Sequence, residues 1–531
     1  PPRSTLFPYT TLFRSRCQVV SFLLGAVRID MQSLTRKARV TVRCLMLGWI
    51  VVVASAVCLV ATGDAFGARV KSKPPKRTKP AASGESSLSR FHRAAGQVGF
   101  EVVELPSGRV LLEHRAHDPL VPASVLKILT SYTALKWLGP EHHFRTAIWT
   151  TGRLQGGVLS GPIYLKSEGD PFFVQDKLLW LVRRLKESGI QRITGSVYVD
   201  NSYFSPQTER VCLDEDCNEA YNPTLSGTAL EFNSFFVRAT AGRQAGTPAQ
   251  VSWVPAGRYL QVENLSTTVA KGSKSPIQVR HGGRGVDGRE RVQVTGAVSL
   301  KDRSSHEHRF SVFEPPVFVA SVLHAALEEA GIGIDRSPGG AAVVPPGARK
   351  LVEYESNPLS EICCGLNRYS NNFMAEMLLR CVGGYVLGAP GTELKGLSVV
   401  QKALLELGVP AQEVSLKTGS GLSRECRVSP NAFSRVLVAA CADPGLRMPF
   451  SASLAVAGQE GTLRNRMKGS SLTVRGKTGT LRDVVGFSGY VETQAGATYG
   501  VTVLMNEVKS LADAKSAIDG FLEEVAAGRG K

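Results

Sequence analysis

Ser124 and Lys127 stand three residues apart in the run PASVLKILTSYTALKWLG. A serine hydroxyl is a weak nucleophile until a base takes its proton. On a helix, the i, i+3 spacing sets the lysine amine on the same face as Ser124 Oγ and within its reach. Lysine can serve as that base once burial or a neighbouring cation lowers its pKa. A serine in the first helical turn also has its own N–H among the donors that a helix start leaves unpaired, which suits a developing oxyanion. This is the only S-x-x-K in the chain. Alone, it fits equally a capping serine beside a surface lysine.

Two further elements complete a reactive set. Ser370-Asn371-Asn372 opens a helical stretch and offers a second hydroxyl to relay a proton, with an amide two residues on to bond a peptide. Taken alone it reads as a helix cap, and Ser429-Pro430-Asn431 matches the same letters. Lys477-Thr478-Gly479-Thr480 lies in a strand pattern that pairs by hairpin with VVGFSGYVE. A strand edge can bind an extended peptide. There Lys477 supplies a cation for a substrate carboxylate, Thr478 a hydroxyl, and Gly479 close approach of the ligand backbone. Lys417-Thr418-Gly419 repeats the letters in a turn-rich run without a strand pattern, so the later copy is the better candidate.

These residues need a frame. GFEVVEL and RVLLEHR flank Pro106-Ser107-Gly108 as a hairpin, and the run after Pro122 has helical apolar spacing up to the stop at Gly139-Pro140. Residues 147–334 change to short alternating strands with Gly-rich turns, interrupted by the helical DKLLWLVRRLKESG. Helical patterns then return, followed by strands and a terminal helix from about Leu511 to Ala526. The expected architecture is α+β: a catalytic domain formed by 91–146 and 335–531, interrupted by a mostly-β insert at 147–334.

Composition limits the function classes. The chain has 531 residues and a net charge of +18, but residues 1–90 hold 15 Lys/Arg against three carboxylates, leaving the body only mildly basic. No nucleic-acid-reading motif accompanies that charge. The segment 1–30 has no targeting logic and reads as upstream or non-native. In 31–68 a cationic stretch precedes an uncharged run and then small residues, the layout of an export signal or a retained anchor. Residues 69–90 read as a basic linker. The body is expected in a periplasmic or extracellular compartment, with peripheral membrane association as an added expectation. Cys212 and Cys217 are expected to form a local disulfide, with metal ligation as the alternative, although no second pair follows at zinc spacing. His306-Glu307-His308 lacks the helical spacing of a zinc protease.

The three elements in this order resemble the signature of penicillin-binding proteins and serine β-lactamases. Together with SEGDPFF, EFNSFF, RYSNNFMAEMLLR, SGLSRECRVSP, AGQEGTLRNRM and GKTGTLRDVVGFSGYVE, they make residues 91 onward similar to the D-alanyl-D-alanine carboxypeptidase/endopeptidase family of class C low-molecular-mass penicillin-binding proteins, peptidase S13 type. The 246 residues between Ser124 and Ser370 suit a family with a large domain inserted there. The resemblance implies a β-lactamase/transpeptidase-like core, peptidoglycan peptides as substrates, acylation by β-lactam antibiotics, and no metal or organic cofactor. It further implies that Ser124 is the nucleophile, Lys127 its base and Ser370 a proton relay. Asn372 then orients the acyl side, Lys477 and Thr478 grip the terminal carboxylate, and the Ser124 and Thr480 N–H groups hold the oxyanion. One departure is the loop Lys417 to Ser423, where the family reads Asp-Gly-Ser-Gly-Leu-Ser; the loop is expected to lie outside the catalytic groups. The alternatives are a β-lactamase or esterase on the same core, or a catalytically silent wall-binding protein.

Overall fold

The computed structural model describes residues 87–204, 209–212, 217–272, 275–302 and 304–528. The expected upstream segment, signal and most of the linker lie outside the described residues. The first described helix begins slightly before Phe91, the start expected from sequence. α1 (Ser87–Ala94) turns directly into β1 (Ala95–Leu105), which pairs with β2 (Val110–His114) as the expected hairpin. A 3-10 turn, Ala123–Leu126, then leads into α2 (Lys127–Leu138), which stops at Gly139 with φ 89°.

Along the insert, β3 (Arg145–Thr150), β4 (Ile163–Ser167), α3 (Gln175–Glu187), β5 (Val197–Asp200), α4 (Pro315–Glu329) and β6 (Arg349–Glu355) are joined by several smaller sheets. β6 pairs with β3 in the sheet order β6-β3-β4-β5. Leu351, Val352 and Tyr354 also pack on the apolar cluster of the insert. Residues 349–355, read from sequence as part of the catalytic segment, therefore associate with the insert. Pattern alone did not show this, because the strand's partner lies some 200 residues upstream.

After the insert come α5 (Leu359–Tyr369), α6 (Asn372–Leu387), α7 (Glu393–Glu406) and α8 (Pro430–Ala442). The chain closes with β7 (Ala455–Val456), β8 (Thr473–Leu481), β9 (Val484–Glu492), β10 (Thr498–Val508) and α9 (Leu511–Ala526). The central sheet runs β2-β1-β10-β9-β8-β7, so the chain's first and last described strands lie side by side, with Phe100 opposite Val503. β9 is buried from Val484 to Val491, which explains its nearly continuous apolar reading. α1 and α9 cover one face, where Phe91, Phe487, Val503 and Phe521 are buried and the Phe91 and Phe521 rings meet edge to face at 5.3 Å. Each such ring is worth about 2–3 kcal/mol of burial. A second cluster joins α2, α5, α6 and α8, with Leu129, Leu366, Leu378 and Phe433 buried. That cluster seats the start of α2 between the sheet and the start of α6.

Candidate active site

Ser124 sits in the 3-10 turn rather than in α2 itself, and Lys127 is the first residue of the α-helix. The i, i+3 relation survives this difference, and Lys127 Nζ lies 2.8 Å from Ser124 Oγ. The same amine donates to Asn372 Oδ1 at 2.8 Å and to the Ser420 carbonyl at 2.7 Å. Three acceptors satisfy an ammonium. A neutral amine can equally donate to Asn372 and Ser420 while accepting the Ser124 proton. Lys127 has no solvent exposure, and burial lowers its pKa to about 7, with Glu376 acting in the opposite direction.

Ser370 closes α5 in the left-handed conformation, φ 59° and ψ 41°, and Asn371 caps α6 by accepting the Met374 N–H at 3.0 Å. The capping task therefore falls to Asn371, and Ser370 is held in a conformation that non-glycine residues seldom adopt. Its Oγ accepts from Lys477 Nζ at 2.9 Å. Asn372 is fixed at both ends of its amide: Nδ2 donates to the Tyr221 carbonyl at 2.9 Å, so the insert borders the site.

Lys477 is not an exposed cation. It is fully buried, its Nζ bonds Ser370 Oγ and the Thr478 carbonyl, and burial together with nearby Lys127 holds its pKa well below the ordinary lysine value. Thr478 Oγ1 donates to Thr462 Oγ1 at 2.7 Å, and Thr480 is exposed. β7 pairs only with Arg475 and Gly476, so among the described residues the outer edge of β8 from Lys477 to Leu481 has no strand partner. Gly479 lies against the turn that carries Ser124. A Cβ there would stand 2.7 Å from the Pro122 carbonyl oxygen and 3.1 Å from Ala123 Cβ. Its bareness admits the turn carrying Ser124.

The loop from Lys417 to Ser423 corrects a second expectation, because it forms one wall of the site. Besides the Ser420 carbonyl on Lys127, its Gly419 carbonyl accepts from Thr130 Oγ1 at 2.6 Å. A Cβ on Gly421, φ 74°, would overlap the Ala123 carbonyl. Buried Glu376 holds this loop from behind, accepting the Gly419 and Ser420 N–H groups at 3.1 and 2.8 Å. Sequence reasoning missed Ser420, Tyr221 and Glu376. The first two act through backbone carbonyls, which carry no side-chain signal. Glu376 lies four residues after Asn372, a spacing that puts both on one helical face.

Cys212 and Cys217 form the expected disulfide. His306 and His308 pair instead with Asp302 and Glu219, at 3.0 and 3.1 Å. Among the described residues no group of three or more His, Cys, Asp or Glu is placed to hold a metal ion.

An antiparallel sheet flanked by helices, with these groups gathered where α2, α6 and β8 meet, is a transpeptidase/β-lactamase-like α+β core. The sequence pattern of the D-Ala-D-Ala carboxypeptidase 3 (S13) family matches residues 88–525. A D-alanyl-D-alanine carboxypeptidase from Actinomadura sp. is 32% identical over 429 residues, covering 77% of this chain and 74% of that protein. The D-alanyl-D-alanine carboxypeptidase DacB of Haemophilus influenzae is 24% identical over 388 residues, 72% of this chain and 78% of its own. The crystal structure of penicillin binding protein 4 from Haemophilus influenzae matches with a TM-score of 0.70 at 21% identity, covering 83% of this chain and 100% of that one. The chain belongs to the D-Ala-D-Ala carboxypeptidase 3 (S13) family.

Proposed function

We propose that this protein is an exported serine-type D-Ala-D-Ala carboxypeptidase/endopeptidase that acts on peptidoglycan peptides through an acyl-serine and is acylated by penicillin. The observation that carries the reading is the fully buried Lys127 amine, 2.8 Å from Ser124 Oγ with its pKa lowered to about 7. Such a base is half neutral at working pH, where general-base catalysis is most effective.

In this mechanism Ser124 Oγ attacks the carbonyl carbon between the two D-alanines as its proton passes to Lys127. The oxyanion is met by the Ser124 and Thr480 N–H groups. The C–N bond then breaks, and the leaving amine takes a proton through Ser370, whose hydroxyl is already tied to Lys477. Asn372 orients the acyl side, and the free edge of β8 with the Thr478 and Thr480 hydroxyls receives the terminal carboxylate. Buried Lys477 contributes from beneath that edge. Water attacks the ester, Lys127 accepts its proton, and Ser124 is restored. No step requires a metal or organic cofactor.

The Cys212–Cys217 disulfide supports an oxidising compartment, in keeping with the signal-like leader. Among the described residues no helix is long and apolar enough to cross a membrane. The direct test is release of D-alanine from a peptide ending in D-Ala-D-Ala, with one ending in L-Ala-L-Ala as control. Stereospecific release that Ser124→Ala abolishes supports the reading; no release from either peptide contradicts it.

A further inference from the structure

Glu376 is a carboxylate with no solvent exposure, one helical turn beyond Asn372 on α6. Burying such a charge is costly unless several partners compensate it. Its Oε1 accepts the Ser420 N–H at 2.8 Å, and its Oε2 accepts the Gly419 N–H at 3.1 Å and faces Arg380 Nη1 at 3.4 Å. The carbonyls of the same two residues face α2, Gly419 toward Thr130 and Ser420 toward Lys127. The loop is thus gripped from both sides, with Glu376 holding its N–H groups and the start of α2 its carbonyls.

The charged surroundings of Lys127 are few. β8 contributes Lys477, whose charge and that of Lys127 oppose each other. α6 contributes Glu376, with Arg380 behind it reaching Glu393 of α7 at 3.3 Å. The 417–425 loop adds the exposed pair Lys417 and Glu425 at its rim and Arg424, which is engaged by Asp483 at 2.7 Å, and Arg368 of α5 is engaged by Glu460.

We propose that Glu376 is a positioning residue for the base of this enzyme: through the Gly419 and Ser420 N–H groups it aims the Ser420 carbonyl at Lys127 Nζ and sets its negative charge close behind that carbonyl. The inference rests on the acyl-serine reading above. Its chemical logic is that a lysine buried beside a second lysine would otherwise become too weak a base to take the Ser124 proton. Glu376 keeps Lys127 basic without a direct contact that would fix it as an ammonium.

The test is the rate of Ser124 acylation by a fluorescent penicillin between about pH 5 and pH 9 in wild type, Glu376→Gln and Thr130→Val. Glu376→Gln is expected to shift the acid limb down by about one pH unit and to lower the plateau rate. Thr130→Val loosens the same loop without changing charge, so its plateau should fall while its limb stays in place. Should the single Glu376 variant not fold, Glu376→Gln with Arg380→Gln also removes the cation left facing it and is read in the same way. A Glu376→Gln limb that is unmoved, or moved to higher pH, overturns the inference alone. Absence of label on wild-type Ser124 overturns the acyl-serine reading and the inference with it.

Discussion

Lys127 and Asn372, 245 residues apart in the chain, meet at 2.8 Å through Nζ and Oδ1. The contact spans the whole insert and joins the start of α2 to the start of α6, while Asn372 Nδ2 reaches back to the insert at Tyr221. One amide therefore ties three separately encoded parts together. Asn372→Ala removes both bonds and should cost about 1–3 kcal/mol in chemical denaturation, with acylation at least about tenfold slower. Asn372→Asp places a carboxylate on Lys127 and raises its pKa, so the acid limb of acylation should move to higher pH. A limb that stays put would separate Asn372 from the titration of the base.

The buried Lys127 amine makes a prediction in two pH windows. The proposed mechanism needs it neutral for acylation, so the rate should climb about tenfold per pH unit below its pKa of about 7 and level off above. The folded pKa lies below the unfolded value of 10.5, so the unfolded chain binds more protons between the two. Stability should therefore rise with pH across that window, on the order of 5 kcal/mol from this group. Lys477, shifted in the same direction, adds to the slope. Urea titrations of wild type and Lys127→Met from about pH 6 to pH 10 check this: the variant should show the shallower rise.

Gly479 tests the packing of the Ser124 turn on β8. In Gly479→Ala the new methyl meets the Pro122 carbonyl and Ala123 Cβ, one of them backbone that cannot swing aside. The expected cost is about 1–3 kcal/mol of stability and about a hundredfold in acylation rate as Ser124 is displaced. Thermal unfolding and penicillin-labelling rates measure the two effects. An unchanged labelling rate would mean that the turn does not rest on the strand.

Cys212 and Cys217 brace the hairpin that presents the Tyr221 carbonyl. Arg210 bonds the Cys217 carbonyl and Asn218 Oδ1, and the short strands Glu209–Arg210 and Thr224–Leu225 pair on either side. Closing so short a loop is worth about 2 kcal/mol. Replacing both cysteines by serine should lower the melting temperature and slow acylation severalfold by loosening Asn372. A reducing agent should have the same effect on wild type and none on the double variant.

Much of this arrangement was legible in the residues. The Ser124/Lys127 spacing, the helix opening at Asn371 and Asn372, and the Lys477 strand with its hairpin partner each carry local patterns, and the structure brings these segments together. The association of β6 with the insert was not legible, because it depends on a long-range pairing. The 417–423 loop misled for a related reason: its letters lack a strand pattern, yet its importance lies in a carbonyl. Lys477 reads in sequence as a charge for a ligand, whereas its full burial with Nζ on Ser370 Oγ depends on a long-range contact that no local pattern shows.

The central claim is that Ser124 is acylated with Lys127 as its base, and intact mass of residues 69–531 after incubation with a fluorescent penicillin tests it most directly. A persistent one-to-one adduct on wild type, absent from Ser124→Ala, is the predicted result. A wild type that gains no mass, whether the penicillin is left intact or is consumed, would contradict it as the account of a penicillin-acylated peptidase.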